Sequence, residues 1–412
     1  MKLSTAPALF AAAMAATTPR MGLAEAHTSG FLYGKVVTTD GDLYEGRLRF
    51  GGDEEVFWNH YFIGRKAGNR WADHVEPAEL LENRPVKLLG LELGARKRMP
   101  ELRRPLMVAF GDVKLLEAQS RQLSVTLKNG TRYELDRYEA DDFADGLRVW
   151  DSRNGIQDLD EWSIRRVEFM PTPLLTDVPE RLHGVVRTSD GDFTGTIQWN
   201  RDAATGEDLL RGERNGDPES ISFAQILRVE RVSAAGARIT LRDGQERMLS
   251  GGPDIGANNR GIDVDDPRFG RVSVSWNAFE QAEFSLVDSG PGYEAFVPGK
   301  PLRATVETRD GQTRTGRLVF DLDEDETTDT LDAPAGLLHY TIPFGHLASV
   351  APATSASETG VEITLRSGHQ LRLDRAGDLS EQNAGLLVFG AEDQPAYLAW
   401  AAVKTIRFEA RD

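Results

Sequence analysis

The stretch Val36-Val-Thr-Thr-Asp40-Gly41-Asp-Leu-Tyr-Glu-Gly46-Arg-Leu-Arg-Phe50 sets two β-prone runs either side of an Asp-Gly pair. Gly takes a positive φ without steric cost, so Asp-Gly between such runs is a strong short-range hairpin signal. The pattern returns at Val185-Val-Arg-Thr-Ser-Asp190-Gly191, with Gly195 and Trp199 behind it. It returns again at Val306-Glu-Thr-Arg-Asp310-Gly311, with Gly316 and Phe320 behind it. Three copies of one hairpin predict repeated β-domains.

Each copy is followed by a related second half. An aromatic and two apolar residues at steps of three come first: Phe110, Val113 and Leu116; Phe223, Ile226 and Val229; Phe344, Leu347 and Val350. A further hairpin turn follows at Asn129-Gly130, Asp243-Gly244 and Ser367-Gly368. A Gly-apolar pair then leads to Trp162, Trp276 and Trp400, and to a last Phe at 169, 284 and 408. The distance from turn to aromatic is 33 residues for Asp190 to Phe223, Asn129 to Trp162, Asp243 to Trp276 and Ser367 to Trp400. The aromatic steps of three do not fit a strand and predict a short 3₁₀ turn. Trp162 lies seven residues before its Phe where Trp276 and Trp400 lie eight, which predicts a local bulge or loop adjustment. The recurring Trp residues read as core anchors.

The expectation is an all-β chain of three tandem domains, at 31–172, 181–287 and 300–410, each a pair of small β-barrel modules. The bent hairpin with a central Gly, a short turn and closing strands resembles SH3-like or Sm-like barrels. That resemblance is one of fold and places no activity on any residue. Asp40 to Phe110 spans 70 residues rather than 33, so the first domain carries an insertion at about 53–104.

Composition narrows the function. A net charge of −17 argues against a nucleic-acid partner, which needs a concentrated basic footprint. Residues 1–26 read as an export signal: Lys2, an apolar run from Ala6 to Ala16, and a small-residue site near Ala24-Glu25-Ala26. This places the protein in the periplasm or outside the cell. The chain has no Cys and no window of 18 uncharged apolar residues, so neither disulfides nor a membrane-spanning helix is expected.

No catalytic signature is present. The insertion concentrates Trp58, Tyr61, Arg65, Arg70 and Trp71, residue types that make either a satellite core or a contact surface for an envelope protein or polysaccharide. His60, Asp73, His74 and Glu76 have the atoms for a transition metal but no diagnostic spacing. The run from Asp321 to Asp329 holds six carboxylates in nine positions; Asp323, Asp325 and Asp329 could bind Ca²⁺ weakly, though a solvated loop is the plainer reading. Noncatalytic binding or an architectural role therefore stands first. A glycan hydrolase using Glu54, Glu55 and Asp73 is the alternative.

Overall fold

A computed structural model describes residues 30–51, 54–57, 60–80, 82–88, 91–98, 102–175, 178–287, 290–352, 360–391 and 394–410, with only the backbone for 82–88 and 91–98. The described chain is antiparallel β-sheet linked by 3₁₀ turns, with one four-residue α-helix at Asp141–Ala144.

Three units share one strand order. In the first, the order across the sheet is Gly155–Leu159, Leu147–Asp151, Leu43–Phe50, Tyr33–Thr38, Ile164–Phe169, Val113–Gln119, Gln122–Leu127 and Arg132–Asp136. The second unit repeats it from Gly270–Val274 to Glu246–Ser250, and the third from Ala396–Leu398 to Gln370–Leu373. All six Gly-containing turns carry a positive φ, from 86° at Gly244 and Gly311 to 145° at Gly191.

These sheets are open, and the SH3-like or Sm-like barrel modules do not exist. The reason lies in the last strand of each unit. Ile164–Phe169 pairs with the first strand, Tyr33–Thr38, as well as with Val113–Gln119. The two halves therefore merge into one eight-stranded sheet instead of closing separately. Inward residues from distant strands, Val149 and Val125 among them, share one core, so the sheet curves over its own apolar face. Curvature is helped by Gly46, Gly195 and Gly316, where an added Cβ would lie within 2.0 Å of a carbonyl oxygen on the neighbouring strand.

Two of the three aromatic steps form the expected 3₁₀ turns, at Phe223–Gln225 and Phe344–His346, whereas Phe110 starts only a single hydrogen-bonded turn to Val113; a further 3₁₀ turn, not among those steps, lies at Trp400–Ala402. Trp276 is enclosed as a core anchor, but Trp162 is 49% exposed. Register explains the difference. Ile164, Phe279 and Val403 occupy equivalent places opposite Thr38, Thr188 and Thr308. Trp276 and Trp400 precede this place by three residues and Trp162 by two, so Trp162 leaves the core and lies over Tyr138 and Arg137. The first strand's bulge recurs in all three units and is not peculiar to the first.

The second and third units are continuous. Strand Leu338–Pro343 of a hairpin in the third unit pairs with Gly270–Val274 of the second, and with the second unit's own hairpin Leu209–Arg214/Asp217–Ser222 at the opposite edge the sheet reaches twelve strands. Their apolar interiors also form one cluster.

Candidate functional site at the inter-unit junction

The insertion projects from the first unit as the antiparallel pair Tyr61–Arg65 and Pro105–Ala109, followed at its far end by the 3₁₀ turn Ala72–His74. It lies against both other units. At the third unit it meets the acidic loop with a set of cations. Lys66 Nζ donates to Asp323 Oδ1 at 2.6 Å, Arg70 Nη2 to Asp325 Oδ1 at 2.7 Å and Arg104 Nη2 to Asp321 Oδ1 at 2.9 Å. Arg317 closes on the second oxygen of Asp325 at 2.6 Å. Asp329 Oδ2 accepts the backbone N–H groups of Asp325 and Glu326, which fixes the loop's shape.

Burial gives these contacts weight. Burial opposes the charge on Lys66, yet Asp323 and the neighbouring carboxylates more than offset it and hold the ammonium above its usual range. Burial pushes Asp321 and Asp329 up to about 7. The loop is thus a packed interface and not a solvated one. The carboxylates of Asp323, Asp325 and Asp329, read as candidates for weak Ca²⁺ binding, are engaged by Lys66, Arg70, Arg317 and two peptide groups.

Apolar packing runs beside the charges. Trp71, Val75 and Leu80 join Val319, Leu322 and Leu387 in one cluster, with the Trp71 ring 5.8 Å from Phe389. Tyr61 is buried, and the guanidinium of Arg271 from the second unit lies 4.5 Å from its ring centre. Arg70 is exposed apart from its ion pair, Arg65 is half-buried, and Trp58 lies outside the described residues. Of the five aromatic and basic residues singled out in the insertion, Tyr61, Arg70 and Trp71 therefore reach the other units.

The surface that Tyr61 meets is unusual for a sheet face because it is polar and buried. One cross-strand row runs Ser285, His183, Thr196, Asp265, Arg271, Thr341, Asp332. The next contains Gln198, Asp263, Ser273 and His339. Arg181, Gln198, Asp263, Arg271 and Ser273 are each under 10% exposed. Burial lowers Arg181 to about 10 and pushes His60, which accepts the Glu55 N–H at Nδ1, well below its usual value. Several enclosed atoms here lack a direct hydrogen bond, including Arg181 Nε, Arg271 Nη2 and His60 Nε2. Such a seam suits bridging water.

A cavity of about 500 Å³ opens beside this seam, lined by all three units and the linker: Tyr61 and Ala109, His183 and Asp265, Phe296 and Val297, Pro343 and His346. The linker also ties back to the first unit. Tyr293 donates to the Val113 carbonyl at 3.1 Å, and Lys128 lies 3.5 Å from the Tyr293 ring centre.

The carboxylates considered for hydrolysis do not converge. Glu55 is buried and raised by burial, whereas Asp73 is exposed at the far end of the insertion. None of Glu54, Glu55 and Asp73 lines a described cavity. His60 and His74 are likewise at opposite ends of the insertion, and no group of three metal-ligating side chains is assembled among the described residues. No described helix is long and apolar enough to cross a membrane.

Sequence reasoning missed Arg104, Arg181, Arg271 and Arg317 as junction residues. The available signal was charge: a basic insertion and an acidic loop in a chain of net charge −17. No protein-family model matches this chain, and neither a curated protein nor a solved structure shows significant similarity to it.

Proposed function

We propose that this chain is a noncatalytic structural protein, an exported scaffold whose three β-units are held as one rigid body. The observation that carries the reading is the insertion's double contact: its cations close on the third unit's acidic loop, and Tyr61 seats on the second unit's polar face. A flexible string of binding modules would not enclose charged groups between its modules, because each uncompensated buried charge costs several kcal/mol. The strand pairing between the second and third units supports the same reading.

The chain has no Cys, so paired labels are easily placed. Spin labels at Leu43→Cys and Leu337→Cys, both exposed positions, report the distance between the first and third units. A rigid scaffold gives one narrow distance distribution. It broadens when Lys66, Arg70 and Arg104 are replaced together by Met, Ala and Ala. A broad distribution in the parent chain contradicts the proposal. Export is tested separately, by whether residues 1–26 carry a reporter enzyme across the inner membrane.

A further inference from the structure

The repeated architecture makes one surface comparable across the three units. The residue after the bending Gly, its cross-strand neighbours and the rim strand beyond them form a platform on the outer sheet face. In the second unit this platform is Thr196, Asp265 and Arg271, and Tyr61 sits against Arg271. Its rim strand Gly270–Val274 is extended by the incoming strand Leu338–Pro343. In the third unit the platform is Arg317 and Phe389. Trp71 packs on both, 5.2 Å from the guanidinium carbon and 5.8 Å from the Phe389 ring, and Asp325 neutralises Arg317.

In the first unit the matching row is Tyr33, Arg47, Trp150 and Ile156. Arg47 lies 3.9 Å from the Trp150 ring centre, the arrangement seen at Arg317 and Phe389. Among the described residues no segment covers this row as Trp71 or Tyr61 covers the others. Ile156 is 58% exposed; among the described residues Arg47 lies 5.1 Å from the Phe31 ring centre and feels the charges of Glu55 and Glu207, but makes no ion pair, and its enclosed Nε has no hydrogen-bond partner. The rim strand Gly155–Leu159 pairs on one side alone.

Sheet edges invite pairing, and proteins blunt those they do not use with Pro, charge or shortness. Most other edges of the three main sheets follow that rule, Arg132–Asp136 with three charges among them, while Gln370–Leu373 relies on its four-residue length. Asp217–Ser222 contains Pro218 between Asp217 and Glu219, Thr330–Ala335 contains Pro334, and Ala396–Leu398 has three residues preceded by Pro395. Gly155–Leu159, sequence Gly-Ile-Gln-Asp-Leu, has no Pro and one charge.

We propose that this rim strand and the Tyr33–Arg47–Trp150–Ile156 row form a docking site for an extended segment of a partner polypeptide. The segment adds as an antiparallel strand on Gly155–Leu159, sets an aromatic side chain against Trp150 and brings a carboxylate to Arg47. Main-chain bonds supply affinity and the alternate side chains supply selectivity. The chemistry of the occupant follows from the two filled platforms, one taking a strand and the other a Trp with an Asp. A second copy of this chain fits poorly. Its repeat-equivalent strand, Asp217–Ser222, has Pro218 in place of a backbone donor and acidic neighbours facing Asp158. This inference does not depend on the rigidity of the scaffold.

The test uses the full chain and a phage-displayed library of random 12-residue peptides. Selection should enrich peptides with an aromatic residue and an Asp or Glu on one alternating face. Their binding should fall at least tenfold in Ile156→Lys and in Arg47→Ala, and remain unchanged in Met248→Lys, an equally exposed site on another unit. Hydrogen exchange should show slower amides in 155–159 when a selected peptide is bound. Failure to enrich any peptide, or binding indifferent to Ile156→Lys in a folded variant, overturns the proposal. So does concentration-dependent self-association abolished by Ile156→Lys, since the occupant would then be a second copy.

Discussion

Lys66→Met is the sharpest perturbation of the junction. The Lys66 and Asp323 side chains are 11% and 9% exposed and meet at 2.6 Å. Met keeps the stem's packing and removes the charge, leaving Asp323 enclosed without its cation. Breaking a buried pair from one side costs ~3–5 kcal/mol. The exposed pair Arg148 and Asp158 has the same 2.6 Å contact, with side chains 46% and 65% exposed. There Arg148→Met should cost less than ~1 kcal/mol. Equal distances with unequal costs would isolate burial as the cause. The double variant Lys66→Met/Asp323→Asn should recover much of the loss, because removing both partners leaves no orphaned charge. The shape of the thermal response carries more information. Unfolding entropy is about 2.1 cal/mol/K per residue, so a 4 kcal/mol loss shifts Tm by ~5 °C if the three units melt together and by ~15–20 °C if the third melts alone. Guanidinium titration and calorimetry of the four proteins provide both readings. A Lys66→Met cost no greater than that of Arg148→Met would refute the claim that the insertion's cations are enclosed at the interface.

Three further outcomes follow from the packing and the charges. Trp276→Ala should cost about 3–5 kcal/mol, because the ring is buried against Trp199 and Phe279 and its Nε1 donates to the Ala234 carbonyl. Trp162→Ala should cost less than ~1 kcal/mol, and denaturant midpoints of the two variants decide this. Gly195→Ala should prevent normal folding, since its Cβ would lie 1.9 Å from the Asp265 oxygen, whereas Gly41→Ala meets open space and should lose only ~1 kcal/mol through its positive φ; soluble yield and circular dichroism separate them. Asp321 and Asp329 are raised to about 7, so the folded chain holds protons that the unfolded chain releases near pH 4. Their contribution is full below pH ~4 and is lost as pH rises to 7, giving a fall of ~3–4 kcal/mol per group across that window. Asp329→Asn should flatten the slope in unfolding titrations from pH 4 to 8.

Local signals in the sequence carried much of this fold, for physical reasons. A positive-φ turn needs Gly, so all six hairpin turns were visible in Asp-Gly, Asn-Gly and Ser-Gly pairs. The aromatic steps at Phe223 and Phe344 marked 3₁₀ turns, while the one at Phe110 did not. Closure was not visible, because alternation reads the same in a barrel strand and in an open sheet; the pairing of Ile164–Phe169 with the first strand is a contact across more than a hundred residues. Trp162 shows the limit differently. Its one-residue offset was apparent, but only the register shows that the offset carries the ring out of the core. The insertion's aromatics were legible as a group, while the direction they face depends on a loop some 250 residues away. Lys66 and Asp323 carry opposite charges, yet composition does not reveal that they meet.

Scanning calorimetry of the intact chain tests the central claim, that the three units form one body, most directly. A single transition whose van't Hoff enthalpy equals the calorimetric enthalpy is the predicted result. Two or three separable transitions, unmoved by Lys66→Met in the first and third, would contradict it.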